Sequence, residues 1–271
     1  MTDLKPRLDA LYRRFNKRVY VHPDPLEMVY RYSAPADQEI AGLIAATLAY
    51  GRVAQILASI SRVLDLMQPG PHAYLQRATE KAVRGRFSSF KHRFTTGAEL
   101  ASLLVAVQRI LAEHRSLGAL FAACAQESDE SVLPGLARFV DALRRRAGGS
   151  RPCPSLLSSP DDGSACKRLN LYLRWMVRRD AVDPGPWRGG TADRWAAKLV
   201  VPLDTHMFRI GRGLGLTARR QPNLATALEI TRGLARCNPR DPVRYDFSLT
   251  RLGINPACRD EEMESILKGT S

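Results

Sequence analysis

Residues 38–64, QEIAGLIAATLAYGRVAQILASISRVL, read as a helix, a junction and a second helix. Ile40, Leu43, Ile44, Thr47 and Leu48 fall on one face of a strongly apolar segment over 36–49. Val53, Ile56, Leu57, Ile60, Val63, Leu64 and Met67 repeat the pattern over 53–67, with Gly51 between the two segments. Spacings of three and four residues are those of an amphipathic α-helix, whereas a half-buried strand alternates every second residue. The same period runs outward from this pair. It predicts helices over 3–17, 99–114, 117–125, 134–146, 167–179, 223–236 and 242–252, and another opening at Asp204. No stretch alternates convincingly and none repeats, so the predicted class is all-α. Residues 147–164, AGGSRPCPSLLSSPDDGS, break the pattern with glycine, proline and serine and read as a loop. This connection is the expected lobe boundary inside a single unit spanning 1–271.

A chain of 271 residues, 45% hydrophobic, can bury a sizeable core. Lys and Arg number 41 against 27 Asp and Glu, a net charge of +14. Such an excess points to a polyanionic partner, nucleic acid or an anionic surface, or to a general arginine bias. No run of 18 apolar residues is present, so no membrane span or membrane partner is expected. The start, MTDLKPRLDALYRRF, lacks the apolar core of a signal peptide. Cysteines at 124, 153, 166, 237 and 258 are odd in number and form no Cys-x-x-Cys pair. That pattern argues against zinc and against a disulfide framework, and it fits a reduced cytosol. The five histidines have no metal spacing; no metal and no cofactor are expected.

Two blocks carry candidate chemistry. VPLDTHMFRI, residues 201–210, puts Asp204 at the start of an amphipathic segment between Pro202 and Thr205. A carboxylate in that position is commonly an N-cap. GSACKRLN, residues 163–170, ends a turn and opens the 167–179 helix with Lys167. Taken together, the blocks resemble the lysine- and aspartate-bearing segments of the helix-hairpin-helix DNA glycosylases, the superfamily of endonuclease III and the 8-oxoguanine glycosylases. Gly163, Lys167 and Asn170 match the hairpin in register. Ala165 stands where the second turn glycine belongs, and no Leu-Pro-Gly precedes Gly163, so the hairpin resembles the looser one of the archaeal 8-oxoguanine branch. Residues 38–64 resemble the superfamily's early helix pair. The chain as a whole also resembles a bacterial family of conserved proteins without assigned function, through residues 166–170, 174–178 and 202–206.

The resemblance implies two helical lobes around a cleft and a DNA glycosylase with AP-lyase activity on a damaged purine such as 8-oxoguanine. It makes Lys167 the nucleophile toward the sugar C1′ and Asp204 the group that stabilises developing positive charge. A lysine of pKa about 10.4 must lose its proton first, at roughly 1.4 kcal/mol per unit, and burial or a helix N-terminus can help. Gly163, Ala165 and Arg168 would meet DNA phosphates, and His206 would either do so or pack locally. Tyr50 and Arg52, in the loop between the early helices, would wedge into the opened duplex or reach a phosphate. Trp187, after the turn at 183–187, is either a stacking platform for an extruded base or a core residue closing the loop. The iron–sulfur cysteines of some members are missing. The implied partner is duplex DNA with a damaged base, bound by a monomer in the cytoplasm at the nucleoid.

Other features compete with these. Lys198 lies closer to Asp204 in sequence, but it precedes that segment directly and does not open the helix before it. The separation of Lys167 from Asp204 exceeds the superfamily's usual one, and an insertion over about 180–197, carrying Trp187 and Trp195, accounts for the excess. Leu133-Pro134-Gly135 imitates a hairpin but has no following lysine and reads as a helix start with an early proline. Gly211, Gly213 and Gly215 fail dinucleotide-loop spacing and follow no strand. Two further functions remain open on sequence. One is a DNA-binding protein that kept the fold without catalysis, with Lys167 a phosphate clamp and Asp204 a cap. The other is a helical module for RNA or protein that relies on its basic surface alone.

Overall fold

Helix α2, Pro35–Thr47, is buried from Glu39 to Thr47, as a helix apolar on every side must be. A computed structural model places it among the other elements; residues 4–148, 153, 155–187 and 192–254 are described. Ahead of it lie α1 (Leu4–Phe15) and a 3-10 helix, Pro25–Arg31. After it come α3 (Val53–Asp65), α4 (Pro71–Arg77), α5 (Glu80–Arg86), and a hairpin of β1 (Lys91–His92) and β2 (Thr95–Thr96). Helices α6 (Gly97–His114), α7 (Leu117–Cys124) and α8 (Val132–Ala147) follow, then α9 (Lys167–Val177) and α10 (Ala192–Ala196). The chain continues through α11 (Thr205–Gly213) and α12 (Leu224–Ala235) to α13 (Asp246–Ile254). The protein is all-α apart from the one short hairpin among the described residues.

Local chemistry sets the boundaries. Thr96 and Glu99 form a reciprocal capping box at the start of α6, and Arg115 closes that helix in a left-handed conformation. Ser131 caps α8 by accepting the Leu133 N–H at 3.4 Å. The Leu133-Pro134-Gly135 run is therefore the first turn of a helix, where proline loses no hydrogen bond. Helix α2 packs against α9, α4 and the 3-10 helix 25–31, α6 packs against α8, and α11 against α13. The approach of α2 to α9 is close: a Cβ on Gly42 would stand 2.7 Å from Met176 Cε. Buried apolar side chains from Leu8 to Leu249 join in one cluster. No helix among the described residues is long and apolar enough to cross a membrane.

Three departures from the sequence-based expectation have physical causes. Each strand of the hairpin has two residues, too few for alternation to register. Helices α4 and α5 have seven residues each and bury two and one of them, so no apolar stripe forms. The predicted 242–252 helix begins as a 3-10 turn, Pro242–Tyr245, and becomes α13 at Asp246. Within the 147–164 connection, Leu156 and Leu157 are buried in the core; residues 149–152 and 154 lie outside the described residues, as does Cys258.

Candidate active site

Lys167 is the first residue of α9, and Asp204 is the N-cap of α11. Both line one pocket of about 330 Å³, together with Tyr50, His206, Arg174 and Asp246. The Lys167 Nζ stands 3.9 Å from Asp204 Oδ2, with the lysine side chain 40% exposed and the aspartate 20%. This is ion-pair range and longer than a hydrogen bond. The other carboxylate oxygen, Oδ1, accepts the Met207 N–H at 2.7 Å. One side chain thus caps a helix with one oxygen and faces an amine with the other. The cap also fixes the carboxylate's orientation, because Oδ1 must stay on the α11 axis.

The turn that delivers Lys167 is built from left-handed residues. Gly163 has φ +72° and Cys166 φ +46°, so the chain reverses within four residues. The Cys166 backbone N–H donates to Ser164 Oγ at 3.1 Å, and the buried Asn170 donates Nδ2 to the Ala165 carbonyl at 3.0 Å. Asn170 thereby holds the turn against the helix that follows it. The N-terminus of α9 carries partial positive charge, which favours an anion beside Lys167.

Beneath this pair lies a buried charge network that sequence reasoning missed. Arg174 bonds Asp246 and, at 3.1 Å, Asp183. Arg178 bonds Asp183, Asp180 at 2.7 Å and Asp241 at 2.8 Å. Arg251 reaches Asp24 at 2.7 Å, and both line the same pocket. Asp246 is 2% exposed, and burial raises its carboxyl to about 6, against the pull of Arg174 and with a further push from Asp204. Its Oδ1 is buried without a hydrogen-bond partner among the described residues. Arg174 and Arg178 fall across α9 from Leu169, Tyr172, Leu173 and Met176, on the side that opens with Lys167, so by helical period alone they read as solvent-facing charges.

The remaining predicted residues divide. His206 lines the pocket, and its Nδ1 is buried without a partner among the described residues. Arg52 is exposed at the N-cap position of α3, beside the Tyr50 and Gly51 that line the pocket. Gly163 is exposed, but its N–H donates to the Pro160 carbonyl at 2.9 Å, so it contributes the turn and no free donor. Ala165 is half-buried beside it. Lys198 is excluded by geometry, because its amine donates to the Glu127 and Asp129 carbonyls at 2.8 and 2.6 Å and lines a different pocket.

Three expectations are corrected. Trp187 is a core residue and no platform: it is 8% exposed, stacks on Phe121 at 5.5 Å between centroids, and donates Nε1 to Glu39 at 2.8 Å. Glu39 also accepts the Leu117 and Gly118 N–H groups at 3.0 Å each, so the tryptophan completes a buried cap on α7. Arg168 turns inward, away from any phosphate. Its guanidinium bonds the Thr47 carbonyl at the end of α2 and the Ser155 carbonyl at 2.7 Å, and covers the Tyr50 ring at 5.1 Å. Tyr50 lines the pocket with its hydroxyl held inward, where the expected wedge would need it to point out. Its hydroxyl bonds the His92 carbonyl at 2.8 Å and Thr95 Oγ1 at 2.6 Å, and its ring meets His92 edge-on.

Residues 24–255 match the model of a family described as "protein of unknown function (DUF2400)". No curated protein and no solved structure matches the chain.

Proposed function

The chain belongs to this DUF2400 family, whose description carries no activity, and from the pocket we propose that the protein is a DNA glycosylase with AP-lyase activity on a damaged purine, 8-oxoguanine-like. The observation that carries the reading is the Lys167 amine 3.9 Å from the Asp204 carboxylate in one pocket. In this reading the turn at Gly163 and α9 are the hairpin and second helix of a helix-hairpin-helix, and the pocket is the cleft between two helical lobes. Lys167, its ammonium proton passed to solvent, attacks C1′ with the free Nζ electron pair. The glycosidic bond breaks, the base leaves with that bond's pair, and the proton shed by the new secondary amine passes to the departing base. Opening of the sugar ring passes the next pair to the ring oxygen and yields a Schiff base between C1′ and Nζ. Loss of a C2′ proton to solvent then forms the C2′–C3′ double bond as the C3′–O bond breaks and the 3′ phosphate leaves with that pair. Asp204, fixed by its cap, offsets the positive charge that grows on the sugar as the base departs.

Asp204's capping bond also fits a protein that keeps the fold and binds DNA without chemistry. Borohydride reduction separates the two. A screen of duplexes carrying different damaged bases is expected to trap a covalent protein–DNA adduct on one of them, and Lys167→Gln to abolish it, with Lys198→Gln still trapping. Trapping by Lys167→Gln would reassign the nucleophile. Binding without trapping on every lesion would favour the non-catalytic reading.

A further inference from the structure

Phe94 is the one exposed ring among the phenylalanines, tyrosines and tryptophans of the described residues, 76% exposed. It sits with Arg93 at the two-residue tip of the β1–β2 hairpin, where His92 pairs with Thr95. Arg93 takes φ +51° there, a conformation that side chains other than glycine, asparagine and aspartate rarely adopt, and its guanidinium lies 5.4 Å from the Phe94 ring. Short hairpins ordinarily place Asn-Gly or similar pairs at such a tip. An arginine and an exposed phenylalanine therefore need another reason, since strained and exposed positions concentrate at functional sites.

The tip is fastened to the pocket wall. Thr95 and His92 are held by the Tyr50 hydroxyl, and the Thr95 N–H also donates to it at 3.2 Å. Gly51, which lines the pocket, has φ +103°, and a Cβ there would fall 2.7 Å from Arg93 Cδ. Val53, 38% exposed, lines the same rim. The chain leading into the tip is basic: residues 77–94 hold Arg77, Lys81, Arg84, Arg86, Lys91 and Arg93 against Glu80 alone.

The geometry points to the Arg93–Phe94 tip as a nucleobase-stacking contact, with Phe94 inserting beside the pocket into duplex DNA and Arg93 and Arg52 meeting the flanking phosphates. This rests on the DNA reading above. Apolar side chains inserted between base steps unstack them and open the duplex, and base–aromatic stacking tolerates any sequence because every base has a face to offer. The tyrosine whose hydroxyl is held inward serves as the anchor for the ring that stands outside.

The test uses the full chain and a short duplex with a tetrahydrofuran abasic analogue flanked by 2-aminopurine. The wild type is expected to bind and to raise the 2-aminopurine fluorescence as the neighbouring stack opens. Phe94→Ala should lose that rise and bind about tenfold more weakly, with an unchanged melting temperature because the ring buries almost nothing. Phe94→Trp should keep the rise, and its own emission should be quenched by the bases. A full rise with Phe94→Ala would overturn the stacking role and leave the DNA reading standing. Failure of the wild type to bind the duplex would instead remove that reading, and this inference with it.

Discussion

At the residue scale the divided duty of Asp204 makes structure and chemistry separable. Asn at this position can still accept the Met207 N–H through its amide oxygen, which serves the cap, while the charge facing Lys167 is lost. Asp204→Asn is thus expected to cut the single-turnover rate by orders of magnitude while leaving binding and stability nearly unchanged. Asp204→Ala removes the cap as well and should lower unfolding stability by about 1 kcal/mol. Equal rates for Asp204→Asn and the wild type would reduce this residue to a cap. The contrast also explains what local sequence could and could not convey. An aspartate before an amphipathic run signals a cap on its own, but the second oxygen's role depends on where α9 starts, and no local pattern encodes that.

At the element scale, the buried side of α9 carries the stability cost of the site. Asp246 has its carboxyl raised from 3.8 to about 6 by burial, so the folded state holds this proton more tightly than the unfolded chain. The stabilisation is complete below pH 3.8 and is lost as pH rises through about 6. A shift of that size corresponds to about 3 kcal/mol. Denaturant titrations of wild type and Asp246→Asn across this range should show the wild type losing stability relative to the variant as pH rises. Parallel curves would mean that Arg174 holds Asp246 ionised throughout. Long helices such as α2, α3, α6 and α9 were legible because each repeats its apolar face over three or more turns. The hairpin and α4 and α5 were not, because elements of two to seven residues offer too little repetition. The Arg174 and Arg178 network was not legible: both charges lie opposite the apolar stripe of α9 and read as solvent-facing, and their partners Asp183, Asp241 and Asp246 come from elsewhere in the chain.

For the whole molecule, the net charge of +14 has to be divided between buried and exposed groups. Arg174, Arg178 and Arg251 are buried and paired with carboxylates, so they add little to the outward field. The surplus comes from exposed positions, among them Arg77, Lys81, Arg86 and Lys91 ahead of the hairpin tip and Arg93 on it. Overall charge was readable from composition, but its placement was not, since a buried and an exposed arginine look alike in a sequence. A duplex held by such side chains releases condensed counterions on binding, so affinity must fall as salt rises. For about six phosphate contacts, log K against log salt should have a slope near −5. Replacing Lys91 and Arg93 together by Gln should flatten that slope by about 2 without changing preference among sequences. Affinity that holds steady from low to moderate salt would mean that the basic surface meets something other than a nucleic acid backbone, and the proposed chemistry at Lys167 would then lack its substrate.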